Sequence, residues 1–107
     1  MSEAIQIDIN DLPFTKDGVG SLPADHKWPI IYLLHGSKKI AYVGESINVK
    51  SRLNDHLRTK KDKGLVSAHV INSQSFNMSV TKEVESKLIK YLSSDGRYEL
   101  LNRNDGL

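Results

Sequence analysis

The chain has 107 residues, of which 38% are hydrophobic and 26% are charged, and its formal net charge is +2. This length predicts one domain, and the composition excludes both a disordered chain and a membrane-embedded one. Cysteine is absent, which excludes disulfides and thiolate zinc sites and suits a reducing cytosol, so we expect a cytoplasmic protein. No apolar run approaches the roughly 20 residues that cross a bilayer, and the N-terminus lacks a secretory pattern.

Residues 1–28 are predicted to be a lead-in that is partly extended. Ile5–Ile9 alternates apolar and polar side chains, which predicts a short half-buried strand. The next segment contains many turn-forming residues, namely Pro13, Asp17, Gly18, Gly20 and Pro23. These residues indicate irregular chain, so we place the main domain at residues 29–104.

The first half of the main domain is predicted to be an antiparallel hairpin followed by a helix. Apolar runs at 30–34 and 40–43 are joined by a short connection that contains glycine, which is typical of hairpins. Ser46 or Asn48 can cap the helix that follows, which ends near Arg58. Its buried stripe is predicted to consist of Val49, Leu53 and Leu57.

The second half begins with a strand and a polar segment. Residues 65–71 are predicted to form the third strand. Residues 72–79 are polar and are predicted to be irregular, with Phe76 and Met78 turned inward.

A second helix and an extended tail complete the domain. Thr81 can cap this helix, and Gly96 can end it in the left-handed conformation. One face is predicted to be buried and consists of Val84, Leu88, Tyr91 and Leu92. The tail over 98–102 is predicted to return to the sheet. The order β-β-α-β-α predicts an α+β fold, a sandwich-like arrangement of a mixed, mainly antiparallel three-stranded sheet flanked by helices.

Basic residues crowd the first long helix and the loop after it. The set consists of Lys50, Arg52, Arg58, Lys60, Lys61 and Lys63. Only Asp55 and Asp62 oppose it, so the patch can follow a phosphate backbone. A solvated lysine-rich loop explains the part from Lys60 to Lys63 equally well.

Five residues supply the chemistry that phosphodiester hydrolysis requires, namely Tyr32, Tyr42, Arg52, His56 and Glu85. Arg52 and His56 are i, i+4 neighbours and share a helix face. The guanidinium can hold two phosphate oxygens and stabilise the charge of the transition state. Simpler explanations remain for each: the tyrosines can pack across a hairpin, Arg52 can pair with Asp55 or Glu45, and the glutamate can be solvated.

The same residues resemble the signature of the GIY-YIG nuclease family. Tyr32 lies on the first hairpin strand, and the run Tyr42–Gly44 lies on the second. Arg52 follows Gly44 by eight residues and His56 follows Arg52 by four, as in many members. The first motif departs from the family pattern, because Ile30-Ile31-Tyr32 lacks its glycine while it keeps the tyrosine.

The resemblance extends to the second helix and the tail. Glu85–Lys90 is similar to the segment that carries the family's metal-binding glutamate, and Leu101-Asn102 is similar to its late asparagine. The catalytic residues that it implies are Tyr32, Tyr42, Arg52, His56 and Glu85. The substrate-binding residues that we assign are Gly44, Ser46, Lys50, Arg58 and Asn102.

The resemblance implies an endonuclease that hydrolyses DNA with one bound metal. Glu85 would hold Mg²⁺, for which Mn²⁺ can substitute. Tyr32 would act as general base or orient the attacking water, with its proton accepted or relayed by His56. No element of the sequence is typical of base readout, so we expect DNA to be recognised by structure and not by sequence.

A subgroup resemblance and two alternative functions accompany this prediction. The Tyr-Val-Gly-Glu-Ser form and the Leu-Leu-Asn-Arg-Asn ending resemble domains at the N-terminus of helicase-like ATPases, which implies an ATPase region in the same or another chain. One alternative is a module that binds a nucleic-acid structure without cutting it. The other is a docking domain for a helicase-like ATPase, with an exposed apolar patch near Trp28 and Phe14. Three histidines are predicted to be bystanders: His26, His35 and His69.

Overall fold

A computed structural model describes residues 7–22, 28–36, 39–73 and 75–104, apart from the side chains of 103 and 104. The elements in chain order are β1 (Asp8–Pro13), α1 (Lys16–Gly20), β2 (Ile30–Gly36), β3 (Ile40–Ser46), α2 (Val49–Thr59), a short 3₁₀ helix (Lys61–Lys63), β4 (Leu65–Asn72), α3 (Met78–Asp95), β5 (Glu99–Leu100) and a second 3₁₀ helix (Leu101–Asn104). The predicted α+β fold with a mostly antiparallel sheet is confirmed. The sheet has five strands instead of three, because β1 and β5 add one strand at each edge.

The strands lie side by side in the order β1-β4-β2-β3-β5. The predicted hairpin is confirmed: β2 and β3 are antiparallel, and Tyr32 lies opposite Gly44. β4 pairs with β2 on one side and with β1 on the other, both antiparallel. β5 pairs with β3 in parallel, so the predicted return of the tail to the sheet is also confirmed.

Helices cover both faces of the sheet, because the central strands β2 and β3 carry buried residues on both faces. On one face α1 and α2 pack against a buried cluster that includes Ile30, Tyr32, Leu34, Val49 and Leu53. On the other face α3 packs against a second cluster built around Ile31, Val43 and Phe76. The predicted stripe of α2 is confirmed, with Leu57 partly buried.

The lead-in differs from its prediction in two ways. The predicted strand is present at residues 8 and 9, but its predicted burial is wrong, because β1 is mostly exposed and Ile9 is 61% exposed. Ile7 precedes the strand and is exposed, and residues 5 and 6 lie outside the described ranges. The chain is not irregular throughout, because Lys16–Gly20 is helical. Thr15 caps this helix by accepting the N–H of Gly18, and Val19 is fully buried. This burial offsets the low helix propensity of the glycines.

The start and the inward face of α3 also differ from the prediction. The cap is Asn77, whose side chain accepts the N–H of Val80, whereas Thr81 is buried inside the helix. Met78 is therefore a first-turn residue that is 49% exposed, while Phe76 is buried as predicted. Tyr91 is 65% exposed, and Ile89 packs inward together with the predicted Val84, Leu88 and Leu92. Gly96 ends the helix with φ +75°, as predicted.

Within the described ranges, no helix combines the length and apolar character that crossing a membrane requires.

Candidate active site

Tyr32 lies at the centre of the candidate site, in the middle of β2. It is 1% exposed, and its ring covers Gly44 on the neighbouring strand. A Cβ atom at position 44 would lie 2.4 Å from the Tyr32 hydroxyl, which no side chain tolerates. Position 44 therefore requires glycine, because the Tyr32 ring lies so close to its backbone.

His56 contacts the same hydroxyl from α2. The Tyr32 hydroxyl and His56 Nε2 are 2.8 Å apart, and both side chains are buried. The tautomer of the imidazole determines the donor: the phenol donates to an unprotonated Nε2, and a protonated Nε2 donates to the phenol. The pair is thus built to exchange a proton between two defined atoms.

Arg52 lies one turn before His56 on α2 and reaches the two phenols. Its exposed guanidinium is in hydrogen-bonding contact with Tyr32 and with Tyr42, and the contact with Tyr32 raises the pKa of Arg52. Burial, followed by the nearby Tyr42, raises the pKa of Tyr32 above its usual value, although Arg52 opposes this shift. Tyr32 is therefore a neutral phenol at neutral pH.

Tyr42 forms one wall of an open groove beside this cluster. Its ring stacks on Tyr32 with centroids 6.3 Å apart and meets the edge of His56 at 4.8 Å. The groove has a volume of about 390 Å³ and is lined by Tyr42, Arg52, Asp55, His56, Arg58, Thr59 and Lys60. Three cationic side chains against one carboxylate suit a polyanion.

Glu85 approaches the cluster from α3. It is half-buried, and burial together with the nearby charge of Glu45 raises the pKa of its carboxyl, while Lys82 opposes the shift. The charge of Glu85 also contributes to the raised pKa of Tyr32, so the two groups lie within electrostatic reach. The predicted residue is thus close enough to Tyr32 to influence its ionisation, although it does not line the groove.

Glu45 is a second carboxylate at this edge that the sequence prediction included only as a potential partner of Arg52. Its side chain is 13% exposed, accepts the Thr81 hydroxyl at 2.8 Å and lies 3.7 Å from Lys82 Nζ. The alternation of side chains along β3 could have revealed this position from the sequence, because it places Glu45 on the same face as the buried Val43. A carboxylate between a strand and a helix requires such partners.

The predicted substrate-binding residues have different positions. Arg58 lines the groove and pairs with Asp55 at 3.4 Å. Ser46 accepts the N–H of Asn48 before α2, and neither it nor Lys50 belongs to the groove lining. Asn102 is buried and holds the backbone of β3 beside the site.

The family model of the GIY-YIG catalytic domain matches residues 29–91, more than half of the chain. The chain belongs to the GIY-YIG family. No curated protein and no solved structure matches it. Membership indicates a nuclease-type fold and, in general terms, an endonuclease that acts on DNA. The family match includes Tyr32, Tyr42, Arg52, His56 and Glu85, of which the first four form one cluster beside the groove.

Two carboxylates, Glu85 and Glu45, are the groups near the GIY-YIG site whose chemistry suits a divalent cation. Among residues with described positions, no cluster of three or more His, Cys, Asp or Glu side chains is arranged to hold a metal ion. Mg²⁺ does not require such a cluster, because it keeps several waters and needs one or two carboxylates. Glu85 and Glu45 repel each other, and a cation between them would relieve this repulsion. Their oxygens are also the hard ligands that Mg²⁺ prefers.

The remaining aromatic residues of the GIY-YIG domain lie away from the groove. His35 and His69 stack with centroids 4.8 Å apart, and His69 Nδ1 is hydrogen-bonded to Asp11. Trp28 donates to Asn72 and packs against both apolar clusters. His26 lies outside the described residues.

Proposed function

We propose that this GIY-YIG domain is an endonuclease that hydrolyses DNA phosphodiester bonds by in-line attack of water, with one bound metal ion. The hydrogen bond between Tyr32 and His56, at the wall of a groove that also contains Arg52, is the observation that supports it best. This arrangement places a proton acceptor, His56, in the same groove as Arg52, a cation that can bind phosphate. Packing of a hairpin would not require a buried imidazole at the phenol.

Tyr32 and His56 together can remove a proton from the attacking water. The raised pKa of Tyr32 leaves too little phenolate at neutral pH for this residue to act alone. In the relay, the water gives its proton to the Tyr32 hydroxyl oxygen while the phenol gives its own proton to His56 Nε2. The imidazole then holds the proton, and the phenol is neutral before and after the step.

Arg52 holds the phosphate that is attacked. Its guanidinium lies beside both phenols, so two of its N–H groups can bind phosphate oxygens next to the attacking water. Negative charge grows on these oxygens during attack, and a fixed guanidinium stabilises it. A lysine at this position could not form the paired hydrogen bonds.

Glu85 would hold Mg²⁺ or Mn²⁺, and Glu45 supplies a second carboxylate nearby. The chemistry that such an ion would supply is Lewis acidity toward the phosphate and the leaving oxygen. Without a cation, these two carboxylates would repel a DNA strand that approaches them. A protein that only binds DNA has no use for this arrangement.

The groove favours the DNA backbone over base edges. Its charged side chains suit phosphates, which carry no sequence information. We therefore propose recognition of DNA structure with little sequence preference. We further propose that a helicase-like ATPase region, in the same or another chain, delivers the substrate.

Cleavage of labelled duplex, nicked and branched DNA in Mg²⁺ or Mn²⁺ tests the proposal. We expect Arg52→Ala and Glu85→Ala each to reduce the cleavage rate by about 10²–10³-fold, as loss of transition-state stabilisation does elsewhere. Glu83→Ala is the matched control, because Glu83 is an exposed carboxylate on the same helix that pairs with Lys87. This control should cut like the wild type.

Titration with Mn²⁺, followed by calorimetry, separates metal binding from activity. Glu85→Ala should lose most of the affinity, whereas Arg52→Ala and Glu83→Ala should keep it. Equal cutting by the wild type and both active-site variants would contradict the assignment. If the protein binds DNA with an affinity that falls as salt rises, but never cuts it, the domain is a non-cleaving module instead.

A further inference from the structure

Lys60 is the residue of the groove whose role is not explained by the phenol, imidazole and guanidinium cluster. It directly follows α2, and its backbone N–H donates to the carbonyl of His56 at 2.8 Å. Its ammonium lies 4.7 Å from the centroid of the Tyr42 ring. The backbone of Lys60 is thus held by the end of α2, and its ammonium lies against the active-site residue Tyr42.

The neighbouring cations lack this arrangement. Lys61 and Lys63 are exposed, and neither lines the groove. Arg58 lines the groove, but its guanidinium is paired with Asp55. Lys60 is partly buried and is the only lysine among the described residues that line the groove.

Arg52 and Lys60 contact different parts of Tyr42. The Arg52 guanidinium is within hydrogen-bonding reach of the Tyr42 hydroxyl, whereas the Lys60 ammonium lies over the Tyr42 ring. Their backbones are eight residues apart, which corresponds to about 12 Å along a helix, but both side chains extend to the same groove. A DNA strand carries one phosphate per nucleotide, so a strand held at Arg52 can bring a neighbouring phosphate to Lys60 in the same groove.

We propose that Lys60 is a substrate-positioning residue that binds the DNA phosphate adjacent to the one held by Arg52. This inference rests on the proposed function. The cation–π contact restricts the lysine before DNA arrives, so less rotamer freedom is lost on binding. The ammonium still has three N–H groups to donate to a phosphate. Two consecutive phosphates held at fixed points place the scissile bond beside Tyr32.

Fluorescence anisotropy with a labelled DNA duplex, without divalent metal, tests this role across a range of salt concentrations. Lys60→Met removes the charge and keeps most of the aliphatic stem over Tyr42. We expect it to weaken binding several-fold at low salt and to reduce the slope of log affinity against log salt by about 0.9, the value for one phosphate contact. Lys60→Arg should restore both quantities.

Lys61→Met is the matched control, since it removes the same charge one residue away from an exposed position. The slope of log affinity against log salt should change in Lys61→Met by less than half of its change in Lys60→Met. Melting temperatures of all variants, measured in parallel, should agree with the wild type, because a merely structural role would move stability and not the salt slope.

Equal losses in Lys60→Met and Lys61→Met, or no loss in either, would overturn the proposal while the nuclease function stands. A wild type that binds no DNA would overturn both. If wild-type cleavage is observed, a neutral methylphosphonate next to the cleaved bond gives a second readout. Its effect and that of Lys60→Met should not add, because both remove the same contact.

Discussion

At the residue scale, the position of the Tyr32 hydroxyl depends on Gly44, which has no side chain. Gly44 lies directly opposite Tyr32, and the aromatic ring occupies the space that a Cβ atom would fill. The phenol can then reach His56 and Arg52 at the same time. The family signature at this position is therefore a steric requirement of the tyrosine.

Gly44→Ala should displace the Tyr32 ring, since the new methyl group would lie 2.4 Å from its hydroxyl. We expect a loss of about 1–3 kcal/mol in the free energy of unfolding, the usual cost of overpacking, and loss of cleavage. Urea denaturation and the cleavage assay measure the two effects.

Gly20→Ala is the control for this change. A Cβ atom at Gly20 meets no atom within 4 Å, so this variant should be neutral or more stable. If Gly44→Ala keeps wild-type stability and activity, Tyr32 does not need the space above position 44.

At the element scale, β3 carries much of the site but has only a short strand along its outer edge, opposite β2. β5 pairs with it at Ile40 and Ala41 alone. Asn102 continues this edge, because its amide accepts the N–H of Val43 at 2.8 Å and donates to the carbonyl of Val43 at 2.6 Å. One side chain thus replaces a strand residue between Tyr42 and Gly44.

Asn102→Ala should leave both backbone groups of Val43 without partners. An unsatisfied buried group costs about 1–3 kcal/mol, so we expect a marked fall in the free energy of unfolding and a reduced cleavage rate. Thermal and urea denaturation measure stability. Asn54→Ala, at an exposed position of α2, is the control and should change stability by less than about 0.5 kcal/mol. Equal stability of the two variants would show that Asn102 does not support β3.

At the scale of the whole molecule, the core beneath the site includes the N-terminal segment. Phe14, Val19 and Leu22 belong to the same buried cluster as Tyr32 and Leu53. β1 also covers the outer edge of β4. The stability of the groove therefore depends on residues that precede the family match.

Phe14→Ala tests this dependence. Phe14 is 6% exposed, so its truncation should cost about 3–5 kcal/mol in the free energy of unfolding. Ile9→Ala removes an apolar side chain from the exposed part of the same segment and should cost less than about 1 kcal/mol. Urea denaturation distinguishes the two. If both variants keep wild-type stability, the segment is dispensable and the domain begins near residue 29.

The sequence by itself determined the elements with strong local patterns and the motif residues on them. Two apolar runs predicted the hairpin, a repeat of Val49, Leu53 and Leu57 predicted α2, and Gly96 predicted the end of α3. The spacing of Arg52 and His56 placed both side chains on one face of α2. These predictions succeed because the responsible interactions join residues near one another in the chain.

The tertiary structure alone decided which distant residues meet. It made α1 a helix through the burial of Val19, and it gave Glu45 and Lys60 their places beside the site. It also turned Tyr91 outward and Ile89 inward. Such outcomes depend on contacts between residues far apart in the chain, which periodicity and propensity do not describe. The sequence therefore predicted the candidate reacting groups, and the fold decided what surrounds them.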